Sequence, residues 1–183
     1  KIESQTFRGA KIVSNLLNFA RAGGSEDASL DVSKVVSDVL SLVGHQLDTS
    51  KVRVVRELSP ELPSVMGSEN KIQQVLFNLI LNARDAMPSG GWLTIRTYAD
   101  GRDVLVEVSD TGYGIAETDL PRIFDPFFTT KDIGQGTGFG LAVSYGIVQE
   151  HGGSIKASSS KGQGSTFQVR LPIERRVATA RAL

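Results

Sequence analysis

Asp110-Thr-Gly-Tyr-Gly-Ile115, Phe124-Asp-Pro-Phe-Phe-Thr-Thr-Lys131 and Gly134-Gln-Gly-Thr-Gly-Phe-Gly-Leu141 follow one another in a single stretch of this chain. Glycines 112, 114, 134, 136, 138 and 140 permit tight turns and let backbone approach a ligand with no Cβ in between. One carboxylate, Asp110, stands ahead of the first pair. Two glycine clusters separated by an aromatic-proline hinge point to a nucleotide site. The common phosphate loops do not match, because the later glycines do not space as Gly-x-Gly-x-x-Gly and no Gly-x-x-x-x-Gly-Lys-Ser/Thr occurs.

Outward from this stretch, strand and helix patterns interleave. Trp92 to Tyr98 and Val104 to Ser109 alternate in polarity and join at Asp100-Gly101, a tight-hairpin signal, so they deliver Asp110 at a strand end. Leu141 to Glu150 reads as a helix stopped by His151-Gly152-Gly153; Ser154 to Ser158 and Ser165 to Leu171 read as a last strand pair. Upstream, Ser68 opens a helix to Met87, ended by Pro88-Ser89-Gly90-Gly91. Lys51 to Leu58 alternates valines with charges as an edge strand, and Asp31 or Ser33 caps a helix reaching about Leu47. The pattern predicts an α/β two-layer sandwich: a mixed, largely antiparallel sheet with helices on one face.

Before this domain an apolar seam at Ile2, Gln5, Gly9, Ile12, Leu16 and Phe19 predicts one long helix, stopping at Gly23-Gly24, from a truncated helical hairpin. The expected division is a hairpin remnant over 1–24, a linker over 25–31, the main domain over 32–173 and a basic tail over 174–183. With 183 residues, 40% of them hydrophobic, the chain can bury one ordinary core plus an appendage. Lysine plus arginine balances aspartate plus glutamate at 20 each, so nothing electrostatic calls for nucleic acid or an anionic membrane. There is no cysteine, no apolar run of the ~18 residues a membrane span needs and no leader pattern. A cytoplasmic setting is expected, with any membrane anchor outside this chain.

On the helix from 68 to 87 the apolar face is Ile72, Val75, Leu76, Leu79, Ile80, Ala83 and Met87, and Gln74, Asn78, Asn82 and Asp85 share a polar stripe. Asparagine is a poor helix former. Two of them four apart, offering neutral amide oxygens, fit a stripe that faces a ligand or a hydrated cation.

Gln73-Gln-Val-Leu-Phe-Asn-Leu-Ile-Leu-Asn-Ala-Arg-Asp-Ala86, followed by the two glycine clusters in this order, resembles the ATP-binding domain of sensor histidine kinases. Gyrase, mismatch-repair and heat-shock chaperone ATPases are the wider relatives, and the resemblance covers roughly residues 30 to 173. It implies ATP and Mg²⁺ as cofactors. Asn82 would coordinate Mg²⁺ with Asn78 beside it, the triphosphate supplying most other ligands. Asp110 would accept the adenine exocyclic amine, Gly112 and Gly114 would bring backbone to the base beside Ile115, and Thr166 would complete that pocket. Residues 125 to 138 would form a lid, with Phe124 and Phe127 at its near end and Lys131 on the γ-phosphate. Gly136, Thr137, Gly138, Gly140 and Leu141 would hold phosphates at a helix N-terminus. Asp85, where some relatives place a phosphate-contacting lysine, and Phe139, where leucine or isoleucine is commoner, are departures from the pattern.

By the same resemblance, hydrolysing members carry a glutamate one helical turn before the metal-binding asparagine as general base. Here that position is Asn78, whose amide cannot accept the proton, so transfer to a supplied acceptor is favoured over hydrolysis. In the kinases that acceptor is a histidine on a dimerisation hairpin, and neither His45 nor His151 has the expected acidic neighbour and downstream proline. The expectation is a histidine kinase core acting with Asn78 and Lys131 on ATP. Its partners would be the phosphoacceptor histidine of a parent homodimer and a response-regulator receiver domain; the fragment by itself is not expected to autophosphorylate. The alternatives are a non-enzymatic ATP-sensing module and a chaperone-like or topoisomerase-like ATPase.

Overall fold

The computed structural model describes residues 28–131 and 136–173; the hairpin remnant, Gly134 and the basic tail lie outside them. Strand β1 (Ala28–Leu30) leads to helix α1 (Val32–Thr49), strands β2 (Val52–Leu58) and β3 (Val65–Gly67), and helix α2 (Glu69–Asp85). The hairpin β4 (Gly91–Asp100) and β5 (Asp103–Asp110) follows, then a single 3₁₀ turn at Leu120–Arg122, helix α3 (Gly140–Glu150), and strands β6 (Ser154–Ser159) and β7 (Ser165–Pro172). Five strands form one sheet in the order β2-β4-β5-β7-β6, with β2 at an edge as expected. Among the described strands of this sheet only the β2–β4 pair is parallel. The chain leaves β2, climbs through α2 and re-enters at β4, and a crossover helix of this kind is what a parallel neighbour requires.

Asp31 caps α1, accepting the Lys34 N–H at 3.1 Å. The buried faces of α1 (Val35, Val39, Val43, Leu47) and α2 (Ile72, Leu76, Leu79, Ala83) cover the inner side of the sheet. Leu93, Ile95, Val106, Val108, Phe167 and Val169 meet them there. The outer side carries a polar row instead: Glu57, Arg96, Glu107 and Gln168 stand opposite one another in register. Arg96 donates to Glu57 at 2.7 Å and Gln168 to Glu107 at 2.9 Å, and such a row suits water rather than a second helical layer.

One element differs from the expectation. Ala28–Leu30, within the stretch read as linker, pairs antiparallel with Val65–Gly67, which had no strand signal of its own. Leu30 and Val65 face each other in register and are 3% and 1% exposed, so burial of two apolar side chains holds three-residue strands too short to be read from alternation.

Candidate active site

The C-terminal half of α2, the end of β5, the glycine-rich stretch and the start of α3 enclose a cavity of about 880 Å³. From α2 come Asn78, Asn82 and Asp85, the polar stripe that the helical period put opposite the core; Gln74 is not part of the lining. Asn78 donates its amide N–H to the Gly140 carbonyl at 3.1 Å and to Ser144 Oγ at 3.3 Å, tying α2 to the first turn of α3. Asn82 Oδ1 accepts from the Lys131 ammonium at 3.4 Å. Lys131 also holds Asp85 at 2.7 Å, and the other Asp85 oxygen takes Arg84. Burial pushes the Asp85 carboxyl up, but hydrogen bonds from Lys131 and Arg84 outweigh it and leave the pKa lowered.

Asp110 ends β5 and is 7% exposed. Burial raises its pKa, and the backbone N–H groups of Gly112 and Ser165 only partly offset that rise. The Gly112 bond measures 2.8 Å. Tyr113, half-exposed at the cavity wall, is fixed by its own backbone: its N–H donates to Ala86 O at 3.0 Å and its carbonyl accepts Gly162 N–H at 2.7 Å.

Gly114, Ile115, Gly136, Thr137, Gly138, Gly140 and Leu141, which the resemblance named, line the same cavity. Gly114 has φ +68° and a Cβ there would stand 2.2 Å from Ser160 O, so no other residue fits without backbone movement. No side chain caps α3, and its N-terminus opens on the cavity. The first-turn N–H groups of a helix have no partner within it, which suits an anion.

Three expected residues lie outside the lining of this cavity. Thr166 points to the outer face of the sheet, bonded to Ser109 at 2.9 Å, and Ser165 is the residue opposite Asp110 on the inner face. Strand alternation carries the signal for this: Phe167, Val169 and Leu171 are buried inward, and Ser165 shares their parity. Phe127 is 72% exposed and outside the lining, while Phe128 takes its place inside. Gly112 is also outside the lining; a Cβ there would meet Ala86 O at 2.4 Å, so its lack of a side chain makes room for the residue that ends α2.

Residues 67–175, the span that carries the asparagine stripe of α2, the buried acid at the end of β5 and the N-terminus of α3, match one family of ATPases. The chain belongs to the histidine kinase-, DNA gyrase B- and HSP90-like ATPase family. Within it, this is a histidine kinase ATP-binding domain, as its relatives agree. It is 39% identical to the sensor kinase CckA of Brucella abortus over 93% of the chain and 20% of that protein. It is 35% identical to the sensor histidine kinase ZraS of Escherichia coli K12 over 89% of the chain and 35% of that protein. The chain thus spans between a fifth and about a third of these relatives.

Among solved structures, the nucleotide-free catalytic domain of the histidine kinase ThkA superposes with a TM-score of 0.75 at 30% identity, covering 82% of this chain and 97% of that one. ShkA in complex with AMPPNP superposes at 0.76 with 29% identity, over 94% and 37%. ThkA in complex with the response regulator TrrA does so at 0.77 with 27% identity, over 93% and 49%. Among the described residues no helix is long and apolar enough to cross a membrane.

Proposed function

We propose that this ATPase domain is the catalytic core of a sensor histidine kinase, passing the γ-phosphoryl of Mg-ATP to a histidine outside the chain. The single observation that carries the reading is the pairing of a buried acceptor, Asp110, with an uncapped α3 N-terminus in the lining of one cavity. The first suits an amine on a base and the second suits phosphate. Because guanine presents a carbonyl where adenine presents its amine, Asp110 selects adenine. Ser165, beside it, takes the role expected of Thr166.

The donor set fits Mg²⁺ only in company with phosphate. Among the described residues no group of three histidine, cysteine, aspartate or glutamate side chains could hold a metal. Asn82 Oδ1, an oxygen donor of the kind Mg²⁺ prefers, already attracts one cation, the Lys131 ammonium. Asn82 would hold the ion, with Asn78 beside it, and the ion would neutralise phosphate charge when bound.

In the transfer, the acceptor imidazole nitrogen forms its bond to the γ-phosphorus as the bond to the bridging oxygen breaks. ADP leaves, and the imidazole proton passes to a base near the acceptor. This chain's residues position and neutralise rather than exchange protons, which is where phosphoryl transfer gains most of its rate. Asn78 supports that division of labour, since its amide N–H groups are engaged by α3 and it offers no base for water. The phosphohistidine would then pass its phosphoryl to a response-regulator aspartate, a reading supported by the ThkA complex with TrrA. The domain division into hairpin remnant, linker, ATP-binding unit and tail belongs to the same proposal.

The test is autophosphorylation of the full-length parent with labelled ATP. Asn82→Ala and Asp110→Asn should each abolish labelling while the chain still folds. Labelling that survives Asn82→Ala unchanged would overturn the assignment.

A further inference from the structure

The Asp85 carboxylate divides its two oxygens between a fixed and an exchangeable partner. Oδ1 takes Arg84, which is itself held by Gln46 of α1 at 2.7 Å. Oδ2 takes Lys131, which ends the aromatic-proline segment and also reaches Asn82 Oδ1. Both partners of the Asp85–Lys131 pair are part-exposed at 32% and 23%, so the pair can open without leaving a dry, unpaired charge. The ammonium thus rests on the same amide oxygen that the proposed function gives to Mg²⁺.

We infer that Asp85 is a positioning residue that parks Lys131 over the metal-binding position and releases it to the nucleotide. The inference rests on the ATP-binding reading and adds to it a counter-ion exchange. With a Mg-nucleotide bound, Asn82 Oδ1 would hold the ion and the Lys131 ammonium would turn from Asp85 to the terminal phosphate. Arg84 stays on Asp85 and keeps it neutralised, which is why the carboxylate can lose one partner beside an anion. An aspartate at this position in an ATP site then has a physical reason: it competes with phosphate for the lysine. The competition discriminates nucleotides, because a diphosphate lacks the γ-phosphate for which Lys131 would leave Asp85.

The experiment is a calorimetric titration of the chain with ATP and with ADP, each with Mg²⁺ and with chelator. It compares wild type, Asp85→Asn, Asp85→Glu, Lys131→Met and the double variant Asp85→Asn/Lys131→Met, with Asp110→Asn as control. Asp85→Asn is expected to tighten Mg²⁺-free ATP binding by about two- to fivefold, the range for one part-exposed ion pair. The gain should be smaller for ADP. Asp85→Glu should restore wild-type affinity, and in the Lys131→Met background the Asp85→Asn change should have no effect.

A gain that persists without Lys131 would make Asp85 a plain repulsive charge and overturn the exchange. Weaker binding in Asp85→Asn, with or without the lysine, would make it a direct nucleotide contact and overturn it too. Wild type that binds no ATP would remove the ATP-binding reading and the inference together. Wild-type binding that Asp110→Asn abolishes, with Asp85→Asn unchanged, would leave the reading standing and remove the inference alone.

Discussion

The backbone N–H of Ser68 donates to His151 Nε2 at 3.0 Å, and the opposite ring nitrogen, Nδ1, lies 2.7 Å from the Ile147 carbonyl. With Nδ1 protonated and Nε2 bare, one neutral imidazole satisfies both, and it links the N-cap of α2 to the C-cap of α3. Gly67 makes room for it, since a Cβ there would meet the ring at 2.2 Å. His151 is therefore a structural clasp. His151→Ala should cost about 1–3 kcal/mol by leaving a buried donor unpaired, and Gly67→Ala should be comparably harmful. Urea unfolding of the two variants checks this, and a loss below a few tenths of a kcal/mol would remove the clasp.

Asp110 sets a pH dependence of stability. Its folded-state pKa is raised above the ordinary aspartate value, burial outweighing the Gly112 and Ser165 bonds. Between the unfolded and folded pKa the native state binds more protons than the unfolded one, so stability falls as pH rises through that window. The resulting penalty is fully present above the folded pKa and relieved below the unfolded one. Removing the charge in Asp110→Asn should therefore raise Tm, relative to wild type, more at neutral pH than in acid below the ordinary aspartate range. Thermal melts under the two conditions measure the difference, and equal offsets would show that the buried charge costs nothing.

Most of the sheet was legible because its strands alternate cleanly and its hairpin carries Asp100-Gly101, and both long helices were legible from their apolar period. What escaped detection depended on contacts between distant elements. Ala28–Leu30 is a strand only because Val65–Gly67 lies alongside it. Phe127 and Phe128 are adjacent aromatics whose inward and outward roles are decided by a backbone φ of +68° at Phe127, which side-chain type would not suggest. Ser165 was legible in principle, because parity with Phe167 puts it on Asp110's face, whereas Gly112 was flagged as a glycine but its packing partner, Ala86, was not.

Phe127, in the aromatic-proline segment, and Gly138, in the glycine-rich one, are clasped to each other, and this clasp has its own expected cost. Phe127 N–H donates to Gly138 O at 3.1 Å, and Gly138 adopts φ +69°. A Cβ at Gly138 would stand 2.4 Å from the Phe127 carbonyl carbon, so Gly138→Ala combines a clash with left-handed strain. It should cost at least about 1 kcal/mol and weaken nucleotide binding. Phe139→Leu, which loses only the edge contact of its ring with Phe127 at 4.5 Å, should cost about 0.5–1.5 kcal/mol. Denaturant midpoints and an ATP titration of both variants would separate the two effects; a Gly138→Ala variant as stable as wild type would refute the clasp.

Asn78→Glu tests whether hydrolysis can be restored by supplying the missing base. The wild-type amide donates to Gly140 O and Ser144 Oγ, so a carboxylate there would face a carbonyl oxygen with no hydrogen to give. Replacing a donor by an acceptor leaves the Gly140 carbonyl repelled, at about 1–3 kcal/mol, and loosens α2 from the first turn of α3. That turn is also the proposed phosphate seat, so nucleotide affinity should fall as well. The variant is therefore expected to lose stability and ATP affinity without gaining multiple-turnover phosphate release, whereas Asn78→Gln, which keeps the donor, should lose less of both. Phosphate release from Asn78→Glu well above the wild-type rate, at unchanged Tm, would show that the site is a hydrolase lacking only its base and that the α3 contact is dispensable.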